Sequence, residues 1–87
     1  MKQNFSEKIL KYTAVFEPAE EGGYVVSVPA LPGCFTQGET IEEAKNMAKD
    51  AIEGYLAVLK EQGWEIPRES GKAVISEISV DNPQTFV

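Results

Sequence analysis

The stretch SVPALPGCFTQGET, residues 27–40, contains the only cysteine of the chain, directly after a tight turn. Cysteine can act as a nucleophile, but a reactive thiolate needs a base or a positive charge beside it. The chain has no histidine, and no lysine or arginine lies near Cys34 in sequence. This composition excludes Ser-His and Cys-His catalysis and any His-dependent metal site. It favours Cys34 as a small apolar side chain at the start of a strand.

Carboxylates are the other residues that could support chemistry. Glu17, Glu20 and Glu21 lie close together in sequence and could be considered as metal ligands. Hard cations require several oxygens fixed by different elements, whereas charge runs in loops usually face water. Asp50 and Asp81 have no evident carboxylate partner for acid–base catalysis. The sequence therefore predicts a protein that is not an enzyme and that uses no metal and no cofactor.

Size and charge limit the possible partners. With 87 residues the chain is expected to form a single domain, with its ordered core at about residues 9–80. Fourteen acidic and eight basic residues give a net charge of −6, which repels phosphate backbones and attracts basic proteins. Direct nucleic-acid binding is not expected.

Because no signal peptide and no membrane-spanning run is recognisable, we expect a soluble cytoplasmic protein.

Hydrophobic alternation predicts an antiparallel hairpin near the N-terminus. Residues 10–17 alternate between apolar and polar with a period of two, and residues 24–28 do the same. Pro18 ends the first run, and a glycine-containing turn at 19–23 joins the two. Pro32 and Gly33 then occupy the central positions of a type II turn, followed by a short third strand at 34–37.

One long amphipathic helix is predicted over residues 40–62. Thr40 and Glu43 form the S/T-x-x-E pattern of a capping box, and Gly63 is a suitable C-terminal cap. Apolar residues recur between them at helical spacing. Gly54 weakens this helix by about 1 kcal/mol relative to alanine, which would suit close approach of a strand or a partner.

A last strand is predicted over residues 72–80, so that the element order becomes β-β-β-α-β. Because a crossover helix usually returns the chain parallel to an earlier strand, we expect the fourth strand beside the first. The predicted fold is a two-layer α+β domain with sheet order 3-2-1-4 and the helix on one face. The other face would carry Thr13, Val15, Val25 and Ser27. This face could simply be exposed to solvent, but we favour a surface for a partner or for homo-oligomerisation.

The segment YTAVFEPAEEGGYVVSVPALPGCFTQGETIEEA, and more broadly residues 12–64, resembles the HicB family of antitoxins. The G-Y strand, the L-P-G-C-F turn and the T-x-E-E-A helix start stand at the family's spacing. The resemblance implies a partial ribonuclease H-like fold. It also implies binding and occlusion of HicA, a small basic ribonuclease that cleaves mRNA. Tyr12, Ala14 and Phe16 point inward where catalytic carboxylates would be needed, so the fold is expected without nuclease activity.

Many family members carry a DNA-binding segment after this core. Only residues 81–87 follow the predicted last strand, so operator binding is not expected. The candidate contacts to a toxin are acidic residues, which would guide association, and aromatic residues, which would anchor it. They are Glu17, Glu20, Glu21, Tyr24, Phe35, Glu39 and Trp64. The alternative hypothesis is a solitary oligomeric module that binds another protein or a small ligand and has no toxin partner.

Overall fold

The structure is a computed structural model that describes residues 9–69 and 74–85. Its elements follow the order β1 (Val15–Pro18), β2 (Tyr24–Ser27), β3 (Phe35–Gly38) and α1 (Ile41–Gln62). Three antiparallel strands in the order β1-β2-β3 form the sheet, and the helix packs on it. This arrangement confirms the predicted α+β class, the first three strands and the long helix.

β1 is shorter than the predicted strand at residues 10–17. Its register with β2 begins at the pair Val15 and Ser27. The amide of Val28 faces β3 and donates to the carbonyl of Cys34 at 3.2 Å. The next residue after Ser27 whose backbone faces β1 is Pro29, which has no amide hydrogen to offer. Residues 9–14 therefore have no strand partner on that side, although Tyr12 and Ala14 still pack against the core as the alternation predicted.

The connection from β2 to β3 consists of two successive tight turns. The amide of Leu31 donates to the carbonyl of Val28 at 2.9 Å, and the amide of Cys34 donates to the carbonyl of Leu31 at 3.0 Å. Gly33 has φ +81°, as position i+2 of a type II turn requires. The hydroxyl of Tyr55 donates to the carbonyl of Pro32 at 2.8 Å and thereby ties this connection to the helix. The predicted turn is confirmed.

The helix ends match the sequence signals. The side-chain oxygen of Thr40 accepts from the amide of Glu43 at 3.1 Å. The carboxylate of Glu43 reaches back to the amide of Glu39, one residue before the usual capping-box donor. Gly63 is left-handed with φ 74°, and its amide donates to the carbonyl of Lys60.

The core lies between the sheet and the helix and consists of two adjoining clusters. Val26, Ala44 and Ala48 form the first, beneath the N-terminal half of α1. Val28, Leu31 and Cys34 form the second, and the C-terminal half of α1 packs against it. Small helix residues allow the helix to lie close to the strands. Cys34 is buried here, as the structural interpretation predicted.

The predicted fourth strand is not found among the described residues. Lys72 and Ala73 lie outside the described residues, and residues 74–80 have no strand conformation and no strand partner among the residues the structure describes. Four aliphatic side chains of this segment, Val74, Ile75, Ile78 and Val80, are 79–87% exposed. The order 3-2-1-4 is therefore not confirmed. An alternating pattern specifies the two faces of a strand, but it cannot supply the neighbouring edge that makes the strand pair.

Candidate protein-binding surfaces

One face of the sheet is left uncovered by the helix. Because directly opposed residues of an antiparallel pair share a face, the register places two rows of side chains on the side away from Val26. These rows are Val15, Ser27 and Phe35, and Glu17, Val25 and Gln37. Phe35 is 66% exposed and Val25 is 42% exposed, so an apolar strip crosses all three strands with a carboxylate at its margin. We call these six residues the open sheet face.

A second feature is an acidic cleft at the tip of the β1–β2 hairpin, where β3 leads into the helix. Glu21, Tyr24, Glu39 and Glu43 line it together. Tyr24 is half-buried and also packs against the first core cluster, so its ring is held by the fold. Three carboxylates around one aromatic ring make this cleft suitable for a basic side chain of a partner.

The predicted contact residues therefore fall into two adjoining groups, since Val25 and Gln37 of the open sheet face also line the acidic cleft. Glu21, Tyr24 and Glu39 share the acidic cleft, while Glu17 and Phe35 lie on the open sheet face. Glu20 is exposed in the turn beside Glu21.

Trp64 stands apart from these groups. It follows the C-terminal cap of α1, and its side chain is 61% exposed. A helix of 22 residues, about 33 Å long, separates it from the acidic cleft. Trp64 therefore belongs to a different surface, where it lines a shallow hollow with Lys60 and Ile66.

Val25 was predicted to lie on the sheet face available to a partner, but it was not among the seven candidate contact residues. It lies at the centre of the open sheet face, between Glu17 on β1 and Gln37 on β3. The alternation along β2 already placed Val25 on the face opposite to Val26, so the sequence contained the information needed to identify it. The list favoured charged and aromatic residue types, whereas the register shows that an aliphatic residue occupies the centre of this face.

Among the described residues, Cys34 and Tyr12 have a shifted pKa. Burial raises the pKa of the Cys34 thiol, which favours its protonated form. Burial also raises the pKa of Tyr12, with the nearby Arg68 acting in the opposite direction. No group of three or more cysteine, aspartate or glutamate side chains within residues 9–69 and 74–85 could hold a metal ion. Within the same part of the chain, no helix is long and apolar enough to cross a membrane.

Comparison with known proteins identifies the family of this chain. Residues 12–83 match the family described as a HicB-like antitoxin of bacterial toxin–antitoxin systems. A UPF0150 protein of Thermoplasma acidophilum is 48% identical over 65 residues, covering 75% of this chain and 94% of that protein. The antitoxin HicB 1 of Photorhabdus laumondii is 52% identical over 48 residues, and the antitoxin HicB of Escherichia coli K12 is 49% identical over 43. These matches cover 55% and 49% of this chain but only 31% of each antitoxin. The chain belongs to the HicB-like antitoxin family.

Proposed function

We propose that this chain is the antitoxin of a toxin–antitoxin pair and that it neutralises a basic, HicA-like, mRNA-cleaving ribonuclease by covering its RNA-binding surface. The observation that carries the proposal is the open sheet face of a HicB-like domain, an apolar strip with carboxylates beside it. A ribonuclease that grips RNA presents positive charge around its active site. An acidic domain with net charge −6 complements such a surface.

The open sheet face and the acidic cleft have different roles in this proposal. Phe35 and Val25 supply the apolar contact area, which determines how slowly the complex dissociates. Glu17, Glu20, Glu21 and Glu39 supply the field that steers a basic partner and determines the association rate and its dependence on salt. The domain itself has no catalytic role, because occlusion needs only complementary shape and charge.

We also propose that residues 72–80 complete the sheet next to β1 in the functional assembly, giving the order 3-2-1-4 of a partial ribonuclease H-like fold. The exposed aliphatic residues of this segment support the proposal, since an extended segment with a period of two normally buries one face.

The experiment is co-expression with a HicA-like toxin, followed by binding kinetics at two salt concentrations. Wild-type chain should rescue growth. Phe35→Ala should raise the dissociation rate at least tenfold, because aromatic anchors near the centre of an interface contribute most of the affinity. Val58→Ala is the matched control, since Val58 is 52% exposed on the helix and remote from the open sheet face.

Charge reversal separates steering from anchoring. Changing Glu20 and Glu21 together to lysine should slow association and flatten its salt dependence while changing dissociation little. Trp64→Ala would mainly speed dissociation if the toxin also reaches the far end of the helix. If growth is not rescued and no complex forms with any HicA-like partner, the antitoxin function is wrong and the solitary oligomeric module replaces it.

A further inference from the structure

β3 is one of the two outer strands of the sheet, and its register shows which backbone groups face outward. The amide of Val28 donates to the carbonyl of Cys34, so these two residues form a hydrogen-bonded pair. Such pairs occur at every second residue of an antiparallel ladder. Phe35 and Gln37 fall between them, so their backbone amides and carbonyls are directed away from β2.

These outward groups are open to a partner. Among the described residues, the backbone amides and carbonyls of Phe35 and Gln37 have no hydrogen-bond partner. Both residues are exposed, Phe35 to 66%. The next outward amide, that of Glu39, already donates to the carboxylate of Glu43. Two amides and two carbonyls therefore form a short unpaired edge, which is a template for pairing with a further strand.

The charge beside this edge favours a basic occupant over a second copy of the chain. Gln37 also lines the acidic cleft, together with the carboxylates of Glu21, Glu39 and Glu43. A strand docked along Gln37 would bring its neighbouring side chains to this cleft, where lysine and arginine find carboxylate acceptors. A second copy also carries a net charge of −6, so pairing two β3 edges would bring together two acidic chains.

We propose that the outer edge of β3 receives an extended strand of the basic toxin, which continues the sheet across the interface. The backbone groups of Phe35 and Gln37 exchange up to four hydrogen bonds with this strand, and the open sheet face contacts the side chains that it carries. The inference rests on the proposed function, because it states how the toxin is held. Since main-chain groups make these bonds, the side chain of Gln37 contributes little to them.

Proline at position 37 tests whether the backbone is recognised. Gln37→Pro removes an amide hydrogen that takes no part in the ladder with β2, and edge strands tolerate proline in this orientation. The facing carbonyl of the toxin strand loses its donor, so the dissociation constant of the toxin complex should rise by about tenfold or more. Gln37→Ala is the matched control. It removes the side chain, keeps the amide, and should bind the HicA-like toxin within about threefold of wild type. Both variants should keep the circular dichroism spectrum of wild type.

Amide hydrogen exchange of the wild-type chain tests the same contact without a substitution. In the free chain the amides of Phe35 and Gln37 should exchange rapidly, because they face solvent. Binding of the HicA-like toxin should slow the exchange of both by about tenfold or more, since each amide gains an acceptor. The amide of Thr36 is bonded within the ladder to β2, so it is already protected in the free chain and serves as the internal reference.

Three outcomes would overturn the inference while leaving the antitoxin function in place. The first is a toxin complex that Gln37→Pro forms as tightly as wild type. The second is unchanged exchange of the Phe35 and Gln37 amides in that complex, which would place the toxin on another surface. The third is protection of both amides in a toxin-free dimer, which would assign the edge to a second copy. Failure of the wild-type chain to bind any HicA-like toxin would instead overturn the antitoxin function, and this inference with it.

Discussion

Two glycine-to-alanine substitutions should change stability in opposite directions. A Cβ at Gly38 would lie 2.5 Å from the backbone nitrogen of Ala44 and 2.6 Å from its Cα. This is about 0.9 Å short of the 3.4 Å at which ordinary contact begins, and the neighbour is helix backbone that cannot rotate away. Gly38→Ala should therefore lower the free energy of unfolding by about 2 kcal/mol, as overpacking of a dense core does. No atom lies within 4 Å of a Cβ placed at Gly54, so Gly54→Ala should raise the free energy of unfolding by about 0.5–1 kcal/mol.

Thermal unfolding followed by circular dichroism measures both effects. For a domain of this size, 1 kcal/mol corresponds to about 4–8 °C, so Gly38→Ala should melt about 8–16 °C below wild type and Gly54→Ala a few degrees above it. All chains are compared at one concentration, because association shifts the midpoint. Equal midpoints for Gly38→Ala and wild type would refute the close packing of the helix on β3. A loss of stability in Gly54→Ala would refute the open environment assigned to that position.

Three further outcomes are expected. Leu31→Ala, at a fully buried position, should lower the free energy of unfolding by about 3 kcal/mol in urea titrations, and a loss below about 1 kcal/mol would contradict the core assignment. Because burial raises the pKa of Cys34, the unfolded chain loses the thiol proton at a lower pH than the folded chain does. The free energy of unfolding should therefore fall as the pH rises above about 8.5, the ordinary pKa of cysteine. Cys34→Ala should abolish that part of the fall. Purified protein should not cleave RNA with magnesium or manganese, and metal-dependent cleavage that follows the protein through purification would refute this.

The sequence alone predicted the local elements well. The helix between Thr40 and Gly63, the turn at Pro32 and Gly33, and the hairpin before it depend on contacts among residues a few positions apart. Capping, turn dihedrals and hydrophobic alternation are all short-range effects, so the residue types themselves specify them. The resemblance to HicB antitoxins rested on the same stretch, and the family match confirms it.

The candidate contact residues were less well determined. Glutamates and aromatics were chosen by residue type, but residue type does not say which side chains share a surface. The register of the three strands brings Glu17 and Phe35 onto one face with Val25, and the hairpin tip brings Glu21 to Glu39. Such groupings depend on pairing between residues distant along the chain.

Only the tertiary structure determined where the helix backbone approaches the sheet and which strand edges are paired. The sequence suggested Gly54 as a site where a strand or a partner approaches closely. Within the described chain nothing lies within 4 Å of a Cβ at Gly54, and the close contact occurs at Gly38, where the helix crosses the end of β3. The pattern of residues 72–80 specified an alternating segment but no partner for it. A local pattern fixes which way side chains point along one segment. The position of that segment depends on the register and packing of the elements around it, which no short stretch of sequence contains.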